Sequence, residues 1–223
     1  MAAFTAILRK DLRLEMRSGQ STIALIALAL LVLVVLVFAL DPAVARGPQT
    51  AAGALWVALV FSGMLGATRA LTAESENGCI RGLLLSPADR AGLYAAKLAA
   101  AFIFMMIAEG AAVVMMVLFF NLEFDTALMR VAPVIALGAL GFASIATLLA
   151  AITGRSRASD LMLPLLAVPM YVPALIAGVR ASTAALSGLP FSAARDWIEI
   201  LVAFNVLFVS AGYLLFEHVI TEE

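Results

Sequence analysis

An all-α membrane protein with six transmembrane helices is the fold class this sequence predicts, and three observations predict it. Residues Thr22 to Leu40 run for nineteen positions without a charge or a proline. Five later stretches repeat that apolar character. Across 223 residues, 64% are hydrophobic and 13% charged, with a mean hydropathy of +1.08, which leaves too little polar surface to solvate a globule of this size.

Each element follows from length and spacing. A helix needs roughly 20 apolar residues to cross a hydrocarbon core about 30 Å thick. The expected spans are 22–40, 50–68, 98–121, 131–153, 161–179 and 198–216, within one transmembrane domain covering 1–223. Ahead of them, Phe4, Ile7, Leu8, Leu12 and Met16 recur at helical spacing, with Arg9, Lys10, Arg13 and Arg17 on the other face. That pattern predicts an interfacial helix within 1–21, cut off from the first span by the breaker-rich run Ser18, Gly19, Gln20, Ser21. The first span exceeds the roughly 7–15 apolar residues of a secretory signal and lacks a small-residue cleavage site, so it is expected to be retained.

The longest hydrophilic stretch is 69–97, and its order is informative. Acidic Glu74 and Glu76 precede Asn77-Gly78, then comes the apolar cluster Leu83, Leu84 and Leu85, closed by Ser86-Pro87, and a new helix starts towards Lys97. A bare connector needs no such amphipathic cluster. The order predicts a short helix that projects from the membrane and docks into a partner.

Within the spans, Glu109 is the only deep ionisable residue. A carboxylate at mid-bilayer costs about 2.5–3.5 kcal/mol on insertion scales, so it should face the bundle interior or a wet cavity. It is expected either to line a passage between two copies or to hydrogen-bond across helices to Ser144 or Thr147. Pro164, Pro169 and Pro173 fall in one span, and each removes a backbone donor, which predicts a bend that either shapes packing or moves in the working cycle. Gly63, Gly66, Gly138 and Gly141 allow close helix approach.

Orientation follows from the basic residues. Ten lie on the side of the N-terminus (Arg9, Lys10, Arg13, Arg17, Arg69, Arg81, Arg90, Lys97, Arg155, Arg157) and four on the other (Arg46, Arg130, Arg180, Arg195). The positive-inside bias makes both termini cytoplasmic. In a Cys79-free background, single cysteines placed at Arg46 and Gly188 should react with a label added outside intact cells, while those at Glu76 and Asp89 should be spared. The reverse pattern would invert the topology.

Function classes are narrowed by what the chain lacks. There is no Gly-x-x-x-x-Gly-Lys-Ser/Thr phosphate loop, so energy must come from a partner. One cysteine and one histidine, Cys79 and His218, supply neither a Cys/His nucleophile nor a zinc cluster of normal composition. No catalytic, cofactor-binding or metal residues are expected, and the chain is not expected to be an enzyme by itself. Its net charge of −1 gives no argument for nucleic acid. Cys79 permits no internal disulfide and is expected to be a small apolar residue of the docking helix.

The segment Glu74 to Pro87 (ESENGCIRGLLLSP), with Lys97 ten residues on, resembles the coupling segment of six-span ABC-2-type exporter permeases. Three further runs are more specific: Leu8 to Arg17 (LRKDLRLEMR), Gly53 to Val57 (GALWV) and Leu163 to Gly178 (LPLLAVPMYVPALIAG). Together, over about residues 5–182, they resemble the CcmB family, the permease subunit of the haem exporter ABC complex of bacterial cytochrome c maturation. The resemblance implies a homodimeric permease in the bacterial cytoplasmic (inner) membrane. It implies a separate cytoplasmic ABC ATPase that binds ATP, haem-handling membrane subunits as partners beside membrane lipid, and haem as cargo. It assigns ATPase coupling to Glu74, Glu76, Gly78, Arg81, Leu84, Leu85, Ser86 and Pro87. Arg81 departs from the family, which usually carries an acidic residue nearby.

No haem is expected to reside on this chain. Its only histidine lies beyond the last span, and Met105, Met106, Met115 and Met116 are expected to fill helix contacts. Two alternatives share the architecture: a permease exporting a drug or lipid, and a membrane scaffold for cytochrome maturation factors.

Overall fold

Seven helices and no strand make up the residues described by the computed structural model, which are 2–40, 47–76, 90–122, 126–153 and 159–221. Helix α1 (Ala2–Ser18) forms where the amphipathic spacing predicted a helix within 1–21. It stops at Gly19, whose φ of +60° lies in the left-handed region that glycine enters without steric cost. Helix α2 (Gln20–Ala39) resumes at once, so of the expected four-residue break only Gly19 leaves helical geometry. Glu15 accounts for the tight join. Its Oε1 accepts hydrogen bonds from the backbone N–H and the hydroxyl of Thr22, at 2.6 and 2.9 Å, placing a carboxylate where a helix N-terminus has open donors.

Helix α3 (Pro48–Glu76) opens on a proline, whose missing N–H is no loss at a first helical position. Helix α4 (Arg90–Phe120) closes through Asn121 at φ +51°, with Leu122 N donating to the Val117 carbonyl at 3.1 Å. Helix α5 (Thr126–Thr153) contains Pro133 in its early turns. Helix α6 (Ser159–Leu186) stays continuous through Pro164, Pro169 and Pro173. It ends in a Schellman motif: Gly188 has φ +68°, Gly188 N donates to Ala185 O and Leu189 N to Ala184 O, both at 3.1 Å. Helix α7 (Phe191–Thr221) follows.

Five of these helices carry segments long and apolar enough to cross a membrane: Thr22–Ala39, Gly92–Phe120, Thr126–Ala150, Leu165–Leu186 and Phe191–Leu215. The remaining expected span, 50–68, lies in α3, where Ala51, Ala52, Leu55, Trp56, Ala58 and Leu59 are fully buried. The last four spans differ in bounds from the sequence expectation. The apolar part of α6 reaches Leu186 and that of α7 begins at Phe191, so Arg180 and Arg195 sit in helix ends rather than in a loop. An arginine stops a hydropathy count but not a backbone ladder, and Arg195 is paired one turn on with Glu199 at 2.8 Å.

Packing centres on α3, α5 and α6. The Trp56 ring meets Phe142 edge to face, with centroids 6.0 Å apart, and Phe142 lies 4.3 Å from Tyr171. Trp56 Nε1 donates to Ser182 Oγ at 2.9 Å, and Tyr171 donates to the Phe142 carbonyl at 3.3 Å. Helix α7 is pinned to α5 by Asn205, whose amide donates to the carbonyls of Leu137 (2.9 Å) and Leu201 (2.8 Å). Of the expected glycine contacts, three are seen: Gly138 lies beneath Trp56, Gly141 beneath Phe204, and Gly63 against Met105, while the surroundings of Gly66 lie outside the described residues. Gly178 and Gly212 do the same for Trp56 and Tyr94. Outward, Phe38, Met129, Leu165, Val206 and Leu207 are 61–80% exposed. A belt of that size is stable only with lipid as its solvent.

Candidate functional site

Helix α3 ends at Glu76 and α4 begins at Arg90. Glu74 and Glu76 belong to the last turn of α3. Gly78, Arg81, Leu84, Leu85, Ser86 and Pro87, and with them the expected docking helix and Cys79, lie outside the described residues.

Helix α1 is seated on the first turns of α4. Ile7 is buried, Phe4 packs on the core, and Asp11 reaches Lys97 Nζ at 3.0 Å. The same carboxylate holds Lys10 at 3.0 Å through its other oxygen. At 14% and 18% side-chain exposure, the Asp11–Lys97 pair is largely shielded from water, where an ion pair ties elements together more firmly than at an open surface. The amphipathic stripe therefore serves a protein contact. Sequence reasoning did not single out Asp11 or Glu15. Their signal was available in retrospect: two acids interrupting an otherwise basic helix.

Glu109 lies on the buried face of α4 with Met105, Ala108, Ala112 and Met116, and is 1% exposed. Its two carboxyl oxygens meet no hydrogen-bond partner among the described residues. The partners expected for it bond elsewhere: Ser144 donates to Gly141 O at 2.7 Å and Thr147 to Ala143 O at 2.8 Å, both within α5. A helix interior offers its own carbonyls to serine and threonine at i−3 or i−4 at no cost in reach, and here those local acceptors prevail. Pro169 and Pro173 point the other way, sharing the exposed face of α6 with Leu165, Val172 and Ile176. Glu109 and these prolines therefore do not converge within one copy. Met105 and Met116 are core residues, and Met106 and Met115 pack against the core. Among the described residues, no three His, Cys, Asp or Glu side chains come together in a way that could hold a metal ion.

A helical bundle with an exposed apolar belt and five helices long and apolar enough to cross a membrane defines a polytopic membrane protein. The CcmB protein family model matches residues 2–219, and the chain belongs to that family. It is 33% identical over 183 residues to heme exporter protein B of Pseudomonas aeruginosa, covering 78% of this chain and 79% of that one. Heme exporter protein B of Paracoccus denitrificans is 29% identical over 176 residues (79% and 80% covered), and that of Bradyrhizobium diazoefficiens 26% over 188 residues (84% of each).

Proposed function

We propose that this chain is the membrane permease subunit of an ABC exporter serving haem delivery for cytochrome c maturation. The family match over nearly the whole chain carries that reading, and the all-helical bundle with its apolar belt supports it. In this reading six spans place both termini in the cytoplasm of a bacterial inner membrane, with α3 as the second span. Two copies enclose the passage, haem is cargo of the complex, and companion membrane subunits handle it. A separate cytoplasmic ATPase binds and hydrolyses ATP.

The geometry suggests how its stroke enters the membrane. Force applied to 77–89 pulls on the end of α3 and the start of α4, and α4 carries α1 with it through Asp11 and Lys97. Close-packed interiors transmit such displacements because they compress poorly. Replacing Glu76 with lysine, or Gly78 with tryptophan, should leave the permease inserted while the ATPase no longer co-purifies or loses its stimulated hydrolysis. Survival of both signals would remove this segment from the coupling path. In a strain deleted for the chain, haem-stained gels should show c-type cytochromes lost and restored by the wild type but not by the uncoupled variants. Cytochromes that persist in the deletion strain would refute the assignment to cytochrome maturation.

A further inference from the structure

We propose that α1 carries a binding site for an anionic glycerophospholipid, with the phosphate on Arg9 and Arg13 and an acyl chain along Leu8 and Leu12. At 100° per residue the circumference of α1 divides into three sectors. Phe4, Ile7, Asp11 and Glu15 occupy the sector turned to the bundle, where Asp11 meets Lys97 and Glu15 meets Thr22. Leu8 and Leu12 follow, half-buried. Arg9, Arg13 and Arg17 then form an exposed row, and among the described residues none of them has an ion pair. Both acids of the helix are thus spent on the protein side, which leaves the positive field of the row unbalanced.

The half-buried Leu8 and Leu12 lie directly beside Arg9 and Arg13 on the open outer surface of α1. An apolar strip beside paired guanidinium groups fits an amphiphile with a phosphate head, whereas a free anion has no use for the strip and an acidic protein surface little use for it. The location fits as well, since only Gly19 separates α1 from α2, whose apolar segment begins at Thr22. Bilayer anionic lipids are drawn to basic residues placed this close to a span. The proposal rests on the membrane reading of α2 and is independent of the exporter's cargo.

Native mass spectrometry of the full chain in detergent, titrated with dioleoyl phosphatidylglycerol or dioleoyl phosphatidylcholine, tests it. Two arginines near a headgroup should give phosphatidylglycerol an advantage of about thirty-fold. The double variant Arg9→Gln/Arg13→Gln should lose that preference, Arg9→Lys/Arg13→Lys should keep most of it, and Arg130→Gln should keep all of it. Leu8→Ser/Leu12→Ser should weaken both lipids while preserving their ratio, with circular dichroism checking that helix content is unchanged. Equal binding of the two lipids by the wild type would overturn the proposal. So would displacement of phosphatidylglycerol by inorganic phosphate with no effect of the leucine changes, which would mark a plain anion site. Loss of the ATPase partner in the double Gln variant with lipid preference intact would mark a protein-docking face instead, and equally overturn it.

Discussion

Replacing Gly178 with leucine is expected to abolish accumulation of the folded protein. Any Cβ at this position would collide with the Trp56 indole, which is fully buried between Gly178 on α6 and Gly138 on α5. The ring cannot move aside without breaking its 2.9 Å hydrogen bond to Ser182 and its edge contact with Phe142. Overpacking costs about 1–3 kcal/mol, and a stranded indole N–H about 1–3 kcal/mol more. Set against a typical stability of about 5–15 kcal/mol, the sum is a large share. Unfolding followed by tryptophan fluorescence, with protease resistance in membranes, measures it. Gly110 is the matched control, because nothing lies within 4 Å of a Cβ built there. Gly110→Leu should behave as wild type, and Trp56→Leu should partly rescue Gly178→Ala. If Gly178→Leu were as stable as Gly110→Leu, the Trp56 wedge would not be what holds α3, α5 and α6 together.

Glu109→Leu is expected to stabilise the isolated subunit. A buried acid whose oxygens find no partner costs about 1–3 kcal/mol relative to one that is bonded, and an apolar residue of similar volume removes that cost. The midpoint of thermal unfolding in detergent should therefore rise for Glu109→Leu, and rise less for Glu109→Gln, which keeps a buried polar group. The opposite order, with Gln tolerated and Leu unable to assemble, would show that the carboxyl is hydrogen-bonded in the working complex. Cytochrome maturation assays on the same variants separate structure from transport. A leucine variant that assembles with its ATPase yet matures no cytochromes assigns the carboxylate a transport role.

How much of this was legible in the sequence differs by element. The N-terminal helix was visible from Phe4, Ile7 and Leu8 at helical spacing, but its seat on α4 was not, because a pairing such as Asp11 with Lys97 spans 86 residues and leaves no local pattern. Glu109 was identifiable as an inward-facing acid by its isolation among apolar residues, whereas its lack of partners among the described residues was not. Serine and threonine advertise the ability to hydrogen-bond without revealing that Ser144 and Thr147 use it within their own helix. Gly138 and Gly141 read correctly as contact points. Gly178 drew no such reading, since its neighbour Trp56 lies 122 residues away in the chain and only the fold brings the two together.

Hydropathy and charge act residue by residue, so the sequence alone determined that this is an all-helical membrane protein and which family runs it carries. Packing is a relation between distant residues. Only the tertiary structure decided that Trp56 is the wedge between three helices, that α1 is latched to α4 by Asp11 and Lys97, that Glu109 is enclosed without a partner among the described residues, and that Pro169 and Pro173 face outward. The physical reason is that lipid removes the hydrophobic drive that would sort apolar faces inward. The inner and outer sides of each span are then nearly equal in composition, and shape complementarity and a few hydrogen bonds choose between them.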